Sequence, residues 1–207
     1  MNRLHRWYCQ SEHWKRTTHE EILPWGLEGI ELGDAVLEVG PGPGVTTDWL
    51  RQHVIRLECL EIDAALARSL RHRYSETNIG VQCGDATAMP YKDGRFSSVV
   101  SFTMMHHIPT PELQDRFFTE VRRVLSPGGV FAGVDSLPSL LMSVFHLGDT
   151  MMLVAPDALV SRLALAGFTD IHIDIGSSRF RFSARRPMDP ETSESEHPLA
   201  EAGFCHF

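Results

Sequence analysis

The sequence predicts an α/β fold whose strands run mostly parallel. Three observations lead to this prediction. Residues 35–135 alternate short β-rich runs with amphipathic helical runs, which is typical of parallel strands joined by crossover helices. A glycine-rich loop follows the first of these runs. Two alternating runs then flank Gly176-Ser177-Ser178, as expected for an antiparallel pair of strands near the C-terminus.

The first half of the chain is predicted element by element. Asp63 is placed to cap a helix in which Leu66, Leu70 and Tyr74 recur every four residues on one face. Lys92-Asp93-Gly94 is a turn signal before the fourth strand. The predicted order is strand 35–39, helix 45–53, strand 55–62, helix from 64, strand 79–83 and strand 96–102.

The second half continues the alternation. Thr110-Pro111 starts a helix because proline is well tolerated at the first helical position, and Pro127-Gly128-Gly129 is predicted to stop it. Apolar residues on one face of this helix predict its buried stripe: Leu113, Phe117, Val121 and Val124 or Leu125. The elements that follow are strand 130–134, a segment 137–153 of helix or loop, helix 156–166, and strands 171–175 and 179–184.

Length and charge predict one domain and an acidic tail. The chain has 207 residues, 43% of them hydrophobic, and a net charge of −8. We expect a single domain over 1–187, made of an N-terminal helical segment (1–32), a core (33–136) and a helix with the C-terminal hairpin (137–187), followed by a disordered tail (188–207). The tail holds five acids and no Lys or Arg, so the rest of the chain is only mildly acidic. A basic footprint for nucleic acid is absent, and no nucleic-acid partner is expected.

Composition also predicts the compartment. The cysteines lie far apart without a Cys-x-x-Cys pair, as expected for free thiols in a reduced cytoplasm: Cys9, Cys59, Cys83 and Cys205. Without paired cysteines or an H-E-x-x-H motif, no metal is expected. The first 21 residues lack the apolar run of a secretory signal, and the apolar stretch 140–155 is interrupted by His146 and Asp149. We therefore expect a cytoplasmic protein without stable membrane insertion.

The glycine loop indicates a nucleoside-containing cofactor. Gly40-x-Gly42-x-Gly44 lies between a strand and a helix, where glycines let the backbone turn sharply and approach a ligand closely. Glu61 follows Gly40 by 21 residues, at the end of the next strand, where a carboxylate can hold ribose hydroxyls. Either a dinucleotide or another adenosine cofactor fits this much.

Three details favour the second kind of cofactor. Val45 stands where the dinucleotide fingerprint requires its third glycine. Pro41 and Pro43 remove two N–H groups that would otherwise point at a pyrophosphate. Asp85, in Gly84-Asp85-Ala86, ends the third strand, where an acid can accept from an adenine amino group.

With these residues the chain resembles the class I S-adenosylmethionine-dependent methyltransferases, most of all the small-molecule, ubiquinone-biosynthesis-like (type 11) branch. The matching stretches are VLEVGPGPG (36–44), LEID (60–63), GDATAMPYKDGRFSSVVSFTMMHHI (84–108) and RVLSPGGVF (123–131). The resemblance implies an α/β fold with a Rossmann-like, doubly wound sheet of seven strands, mostly parallel with an antiparallel C-terminal hairpin. It also implies S-adenosyl-L-methionine as the cofactor and S-adenosyl-L-homocysteine as the product. Residues 33–136 would then be the cofactor-binding core, with 1–32 as a lid segment and 137–187 on the substrate side.

The resemblance assigns the cofactor contacts residue by residue. Glu38 and the loop 40–44 would hold the methionine end, Glu61 the ribose and Asp85 with Ala86 the adenine, while residues 102–104 would lie beside the sulfonium. The implied cofactor-binding set is Glu38, Gly40, Pro41, Gly42, Gly44, Glu61, Ile62, Asp85, Ala86, Phe102 and Thr103.

Motifs that the chain lacks indicate which classes of methyl acceptor are disfavoured. Residues 101–106 read SFTMMH, not the Asn/Asp-Pro-Pro-Tyr/Phe motif of enzymes that methylate DNA amines or glutamine amides, and no Pro-Cys nucleophile is present. A small, apolar or lipid-like acceptor is therefore expected. Candidate acceptor contacts are Trp14, Met104, Met142, His146 and Asp149. Trp7, Tyr8 and Trp14 predict either a lid or a packed N-terminal helix.

His106 and His107 are the candidate bases, because they follow the fourth strand and a histidine titrates near neutral pH. The alternative is that one of them packs against or caps the helix that begins near Thr110. Two other functions stay open: a non-catalytic regulatory protein that binds S-adenosylmethionine or S-adenosylhomocysteine, and a nicotinamide-dependent reductase. The sequence does not decide between a monomer and a homodimer.

Overall fold

The computed structural model describes residues 8–138 and 151–189, which fold around one seven-stranded sheet of order β3-β2-β1-β4-β5-β7-β6. The strands are β1 (Ala35–Val39), β2 (Arg56–Glu61), β3 (Gly80–Cys83), β4 (Phe96–Phe102), β5 (Leu125–Ser136), β6 (Thr169–Ile175) and β7 (Arg179–Arg185). Strands β1 to β5 pair in parallel, whereas β7 pairs antiparallel with both β5 and β6. The predicted fold class is confirmed.

The helices of the described residues either precede β1 or connect the strands. They are α1 (Glu12–Thr17), α2 (Leu23–Gly26), α3 (Val45–Leu50), α4 (Ala64–Arg73), α5 (Pro111–Val124) and α6 (Pro156–Leu165). A π-helical turn, Thr18–Ile22, joins α1 to α2, and a 3₁₀ turn, Met105–His107, follows β4. Within the described ranges no helix is both long and apolar enough to cross a membrane.

Alternation along the strands builds a core on each face of the sheet. On β1, Leu37 and Val39 belong to the cluster under α5 and α6, whereas Val36 belongs to the cluster under α3 and the N-terminal segment. The first cluster is rich in phenylalanine: Phe96, Phe117, Phe118, Phe131, Phe168, Phe180 and Phe182. Because helices cover both faces, the central strands β1 and β4 are buried on both sides, as strands of parallel sheets generally are, whereas β6 is largely exposed.

Two helix starts agree with the sequence analysis. The Asp63 carboxylate accepts from the backbone N–H groups of Ala65 at 2.8 Å and Leu66 at 3.1 Å, and so caps α4. The Thr110 hydroxyl accepts from Leu113 N at 3.3 Å, with Pro111 as the first residue of α5. Each cap satisfies N–H groups that a helix leaves without partners at its N-terminus.

The predicted junction between α5 and β5 was wrong. The helix ends at Val124, before Pro127-Gly128-Gly129, and β5 begins at Leu125 instead of Val130. Leu125 pairs with Phe96, and the register then shifts before Val130 pairs with Ser98. The Pro-Gly-Gly segment is therefore an irregularity inside a strand, which sheets accommodate near their edges and strand ends.

The N-terminal segment packs across the sheet. Ile22 and Leu23 are buried in the second cluster, and the Arg181 guanidinium on β7 donates to Trp25 O at 2.7 Å and to the Glu28 carboxylate at 2.8 Å. Trp7, most of the predicted segment 137–153 and tail residues 190–207 lie outside the described residues. The division of the chain at residues 32, 136 and 187 stays a prediction.

Candidate functional site

A cavity of about 420 Å³ opens at the carboxyl ends of β1, β2, β3 and β4. Its volume lies within the roughly 300–1,000 Å³ of small-molecule and cofactor pockets, and sheet edges of this kind are where α/β proteins bind ligands. Nine of the eleven residues predicted to hold the cofactor line it: Gly40, Pro41, Gly42, Glu61, Ile62, Asp85, Ala86, Phe102 and Thr103.

The glycine loop owes its shape to close packing. Gly40 has a φ of +70°, and a Cβ at this position would overlap Met104 Cγ. Gly42, with a φ of +55°, has open space around the position of a Cβ and donates its N–H to Glu61 Oε2 at 3.0 Å. The loop therefore lies against the β4 end on one side and is tied to the β2 end on the other.

Glu61 is held by backbone groups at the cavity wall. Its side chain is almost fully buried, and its Oε1 accepts from Asp63 N at 2.9 Å. Burial raises the pKa of this carboxyl above its usual value, although the N–H groups of Asp63 and Gly42 act in the opposite direction. Each carboxylate oxygen has further lone pairs, so this fixed group can still accept from ligand hydroxyls.

Asp85 lines the cavity and also organises its own loop. Its Oδ1 accepts from Thr87 N at 2.7 Å and from Thr87 Oγ1 at 2.9 Å, the pattern of an Asx turn. Both bonds fall on Oδ1, which leaves Oδ2 for a ligand. Asp85 can therefore form its turn and accept from a ligand at the same time.

Glu38 and Gly44 lie outside the described cavity wall. Glu38 is buried beneath the loop, where its carboxylate accepts from the hydroxyls of Thr46 and, at 2.6 Å, Thr47. Burial raises its pKa to about 6 in spite of these bonds. Glu38 therefore anchors the start of α3 from behind, whereas the resemblance placed it against the ligand.

The segment after β4 forms the opposite wall. Thr103 has a φ of +50°, uncommon for a residue with a Cβ, and its N–H donates to Val134 O at 2.8 Å. Backbone strain of this kind costs on the order of 1–3 kcal/mol and is found preferentially at functional sites. Met104, a predicted acceptor contact, lines the cavity beside it.

The two candidate bases occupy different places. His107 lines the cavity, whereas His106 is 2% exposed and its Nδ1 lies 2.6 Å from Asp135 Oδ1. The residue pattern does not distinguish the two histidines, because it contains no signal for the 3₁₀ turn Met105–His107 that places them differently.

Trp14 reaches the cavity from the N-terminal segment, as does Cys9, which was predicted as a free thiol but not as a site residue. The other predicted acceptor contacts, Met142, His146 and Asp149, lie outside the described residues. After β4, three further apolar residues of the cavity wall were missed as site residues: Ile108, Pro109 and Leu113. Leu113 was predicted only as part of a buried helical stripe, and its helical period carries no sign that it borders a cavity.

The described wall is acidic. It contains the carboxylates of Glu61, Asp63 and Asp85, and no Lys or Arg is among its described residues. A pyrophosphate would therefore face three carboxylates without a cationic side chain to offset them, whereas a cationic ligand is favoured. Over the described ranges, no group of three or more His, Cys, Asp or Glu side chains is arranged to hold a metal ion.

Comparisons with known proteins point to one family. A family model described as a methyltransferase domain matches residues 37–133. An uncharacterized methyltransferase of Synechocystis is 30% identical over 175 residues, 79% of this chain and 81% of that protein. A probable S-adenosylmethionine-dependent methyltransferase of Mycolicibacterium smegmatis is 34% identical over 123 residues, 59% of this chain and 45% of that protein.

The names of other relatives state different acceptors. A fatty-acid O-methyltransferase of Mycolicibacterium smegmatis is 32% identical over 108 residues, 51% of this chain and 38% of that protein. A probable ribosomal RNA small subunit methyltransferase A of Thermococcus onnurineus is 33% identical over 94 residues, 44% of this chain and 34% of that protein. The chain spans less than half the length of these two relatives and of the 34% identical one.

Solved structures share the fold. A Pyrococcus horikoshii protein superposes with a TM-score of 0.72 at 19% identity, over 86% of this chain and 94% of that one. The N-methyltransferase NodS of Bradyrhizobium japonicum, crystallised with S-adenosylhomocysteine, superposes with a TM-score of 0.67 at 16% identity, over 87% of this chain and 91% of that one.

Proposed function

The chain belongs to the class I S-adenosylmethionine-dependent methyltransferases, and from that premise we propose that it methylates a small, partly apolar acceptor. The observation that carries the proposal is the single cavity in which the glycine loop, Glu61 and Asp85 stand opposite an apolar wall. One ligand-sized space thus offers polar groups for a nucleoside and apolar surface for a second molecule.

The residues present fit S-adenosylmethionine. Glu61 would accept from the ribose hydroxyls, Asp85 Oδ2 from the adenine amino group, and the loop 40–42 would lie along the methionine part. Three carboxylates in the wall suit a ligand with a sulfonium charge better than one with a pyrophosphate. When bound, S-adenosylmethionine supplies an electrophilic methyl group.

The protein's own contribution is alignment and exclusion of water. Methyl transfer requires the accepting atom to approach the methyl group in line. When the protein holds both molecules in that geometry, the entropy cost of bringing them together is met on binding and no longer adds to the reaction barrier. Met104 packs on the glycine loop, and Thr103 holds its strained conformation through the bond to Val134 O. These contacts give the β4 end a defined position opposite the loop.

The apolar wall supports an acceptor with an apolar part. Met104 and Trp14 line the cavity together with aliphatic residues, and methionine adapts to irregular shapes. The apolar residues in question are Trp14, Phe102, Met104, Ile108, Pro109 and Leu113. The fatty-acid O-methyltransferase among the relatives acts on an acceptor of this kind, whereas the ribosomal RNA methyltransferase does not.

Labelled methyl transfer tests the proposal. The full chain is incubated with methyl-labelled S-adenosylmethionine and, separately, with apolar small molecules, polar small molecules or total RNA from a bacterial extract. We expect label in the apolar fraction and none with Glu61→Ala. Label in RNA alone would contradict the proposed acceptor class, and cofactor binding without label in any fraction would support the regulatory alternative.

A further inference from the structure

The side-chain amide of a buried glutamine holds the turn Met105–His107 in place. Gln114 on α5 is 1% exposed, and its Nε2 donates to Met105 O at 3.2 Å and to Met152 O at 2.8 Å. The Arg162 guanidinium on α6 donates to Gln114 Oε1 at 2.8 Å, which fixes the orientation of the amide. Three segments that are distant in the chain thus meet at this turn.

A buried acid–histidine pair holds the same turn from the side. His106 and Asp135 have 2% and 3% of their side chains exposed, and His106 Nδ1 donates to Asp135 Oδ1 across 2.6 Å. The same oxygen accepts from Ser136 N at 2.6 Å, and His106 O accepts from Met152 N at 2.7 Å. The His106 ring is therefore restrained by its bond to Asp135, and the His106 backbone by the bond from Met152.

His107 is the side chain that this support presents to the cavity. Its ring centroid lies 4.4 Å from that of His106, at an interplanar angle of 42°. The backbone N–H of His107 donates to Met104 O at 2.9 Å. Met104, Ile108 and Leu113 line the cavity around it. A functional group is effective when neighbouring residues support it, and the backbone of His107 belongs to a turn that Gln114 and the His106–Asp135 pair hold.

We propose that His107 is the proton acceptor for the methyl acceptor, that Asp135, His106 and Gln114 are its positioning residues, and that the methyl acceptor is an aromatic or enolic hydroxyl compound. This inference rests on the proposed function. The O–H bond of the acceptor breaks, its electron pair forms the new O–CH₃ bond, and the proton passes to the His107 imidazole. The electron pair of the old S–CH₃ bond stays on sulfur, so the positive charge of the sulfonium reappears as the imidazolium.

The charges around the cavity favour a hydroxyl over a carboxylic acid or an alkylammonium. A carboxylic acid has already lost its proton at neutral pH, needs no base, and would add a fourth negative charge to those of Glu61, Asp63 and Asp85. An alkylammonium would stand beside the cationic sulfonium. The remaining titratable group in the described wall is Cys9, and burial raises the pKa of its thiol to about 11, so it does not compete with an imidazole as a base.

The test uses 4-nitrophenol, whose absorption distinguishes phenol from phenolate, and the full chain saturated with S-adenosylhomocysteine. Because this product has no methyl group to transfer, no reaction occurs, and the spectrum measures only whether the bound probe is protonated. We expect the bound probe to ionise at a pH lower by about one unit than with His107→Gln, because an adjacent imidazolium stabilises the phenolate. The matched control is His72→Gln on the exposed face of α4, which should behave like the parent.

Asp135→Asn tests the positioning residues. Loss of the carboxylate should remove part of the shift while S-adenosylhomocysteine binding is retained, whereas the exposed Asp157→Asn should leave the spectrum unchanged. A merely structural role would change stability alone and not the ionisation of the probe.

Three results separate the claims. An unchanged probe spectrum with His107→Gln overturns the inference about the proton acceptor, and failure of 4-nitrophenol to bind overturns the inference about the hydroxyl acceptor. Failure of S-adenosylhomocysteine to bind the parent protein would instead overturn the proposed function on which both rest.

Discussion

At the scale of single residues, Glu61 and Asp85 illustrate two ways of presenting a carboxylate. Glu61 is almost buried and fixed by the N–H groups of Gly42 and Asp63, whereas Asp85 is exposed and tied only to Thr87 in its own turn. The first position is preorganised by two strand ends, and the second depends on one loop. Both acids stand in the same cavity.

Replacing either acid should weaken binding of S-adenosylhomocysteine. Glu61→Ala and Asp85→Ala each leave ligand donors unpaired, at a cost of about 1–3 kcal/mol, or roughly 5- to 150-fold in Kd. Calorimetric titration measures the change, with the exposed Glu76→Ala as the matched control. If both variants bind like the parent, the adenosine part lies elsewhere.

Glu38 should make stability depend on pH. Its pKa in the folded protein, raised by burial from 4.5 to about 6, exceeds that in the unfolded chain, so the folded state binds this proton more tightly. The contribution of this group is fully present below pH 4.5 and is lost as the pH rises through 6. The loss amounts to about 2 kcal/mol at pH 7.

Urea unfolding of Glu38→Gln between pH 4 and pH 7 measures this loss, because the variant has no proton to release. We expect its free energy of unfolding, relative to that of the parent, to rise by about 2 kcal/mol over this range. Exposed Glu76→Gln serves as the control and should show no such rise. A flat difference for Glu38→Gln would contradict the assigned burial effect.

Residue identity predicted the polar side of the site better than the apolar side. An acid such as Glu61 and closely spaced glycines serve few purposes at strand ends other than ligand binding. Their residue types and spacing were therefore enough to predict the cofactor contacts. Leu113 and Ile108 have the same residue types as any core position, and only the three-dimensional course of the chain after β4 places them at the cavity. The same path of the chain places His107 at the cavity and buries His106.

At the scale of elements, the glycine loop and the β4 end are mutually dependent. An alanine at position 40 would adopt a left-handed φ of +70°, at a cost of about 1–2 kcal/mol, and would also displace Met104 from the cavity wall. At position 42 the φ is similar but the space is open.

Gly40→Ala should therefore lower stability more than Gly42→Ala, as measured by thermal unfolding. Adding Met104→Ala to Gly40→Ala should restore part of the lost stability, because it removes the overlapping side chain but not the backbone strain. Equal losses for the two glycine variants would show that the contact with Met104 carries no energy.

The N-terminal cap of α5 offers a second test of an element. Thr110→Ala removes the acceptor for Leu113 N and should cost about 1 kcal/mol of unfolding free energy in urea. Thr119→Ala, at an exposed position inside the same helix, should be neutral or slightly stabilising because alanine is the better helix former. The opposite order would contradict the role of Thr110 as the cap.

Local signals predicted most element positions, and the failure at β5 has a physical cause. Asp63, Thr110 and Pro111 act through bonds within one or two turns, so the sequence alone reveals them. The start of β5 is decided by the pairing of Leu125 with Phe96, a partner 29 residues away. Glycine and proline next to Leu125 predicted a break that this long-range pairing overrides.

At the scale of the whole molecule, the order of strands creates the site. The motifs at residues 40–44, 61–63, 84–86 and 102–104 are dispersed over about a third of the chain, and parallel pairing of β1 to β4 brings all of them to one edge of the sheet. The resemblance predicted this arrangement. Trp14 was a predicted acceptor contact, but the pattern of residues 8–28 did not predict that Cys9 would also line the cavity, because that depends on packing of Ile22 and Leu23 across the sheet.

The central claim is that this cavity binds an adenosyl cofactor with a sulfonium and not a nicotinamide dinucleotide. Its most direct test is calorimetric titration of the full chain with S-adenosylmethionine, S-adenosylhomocysteine and NADH in parallel. We predict binding of both adenosyl compounds in the micromolar range and no heat from NADH. Binding of NADH with no response to the two adenosyl compounds would contradict the claim.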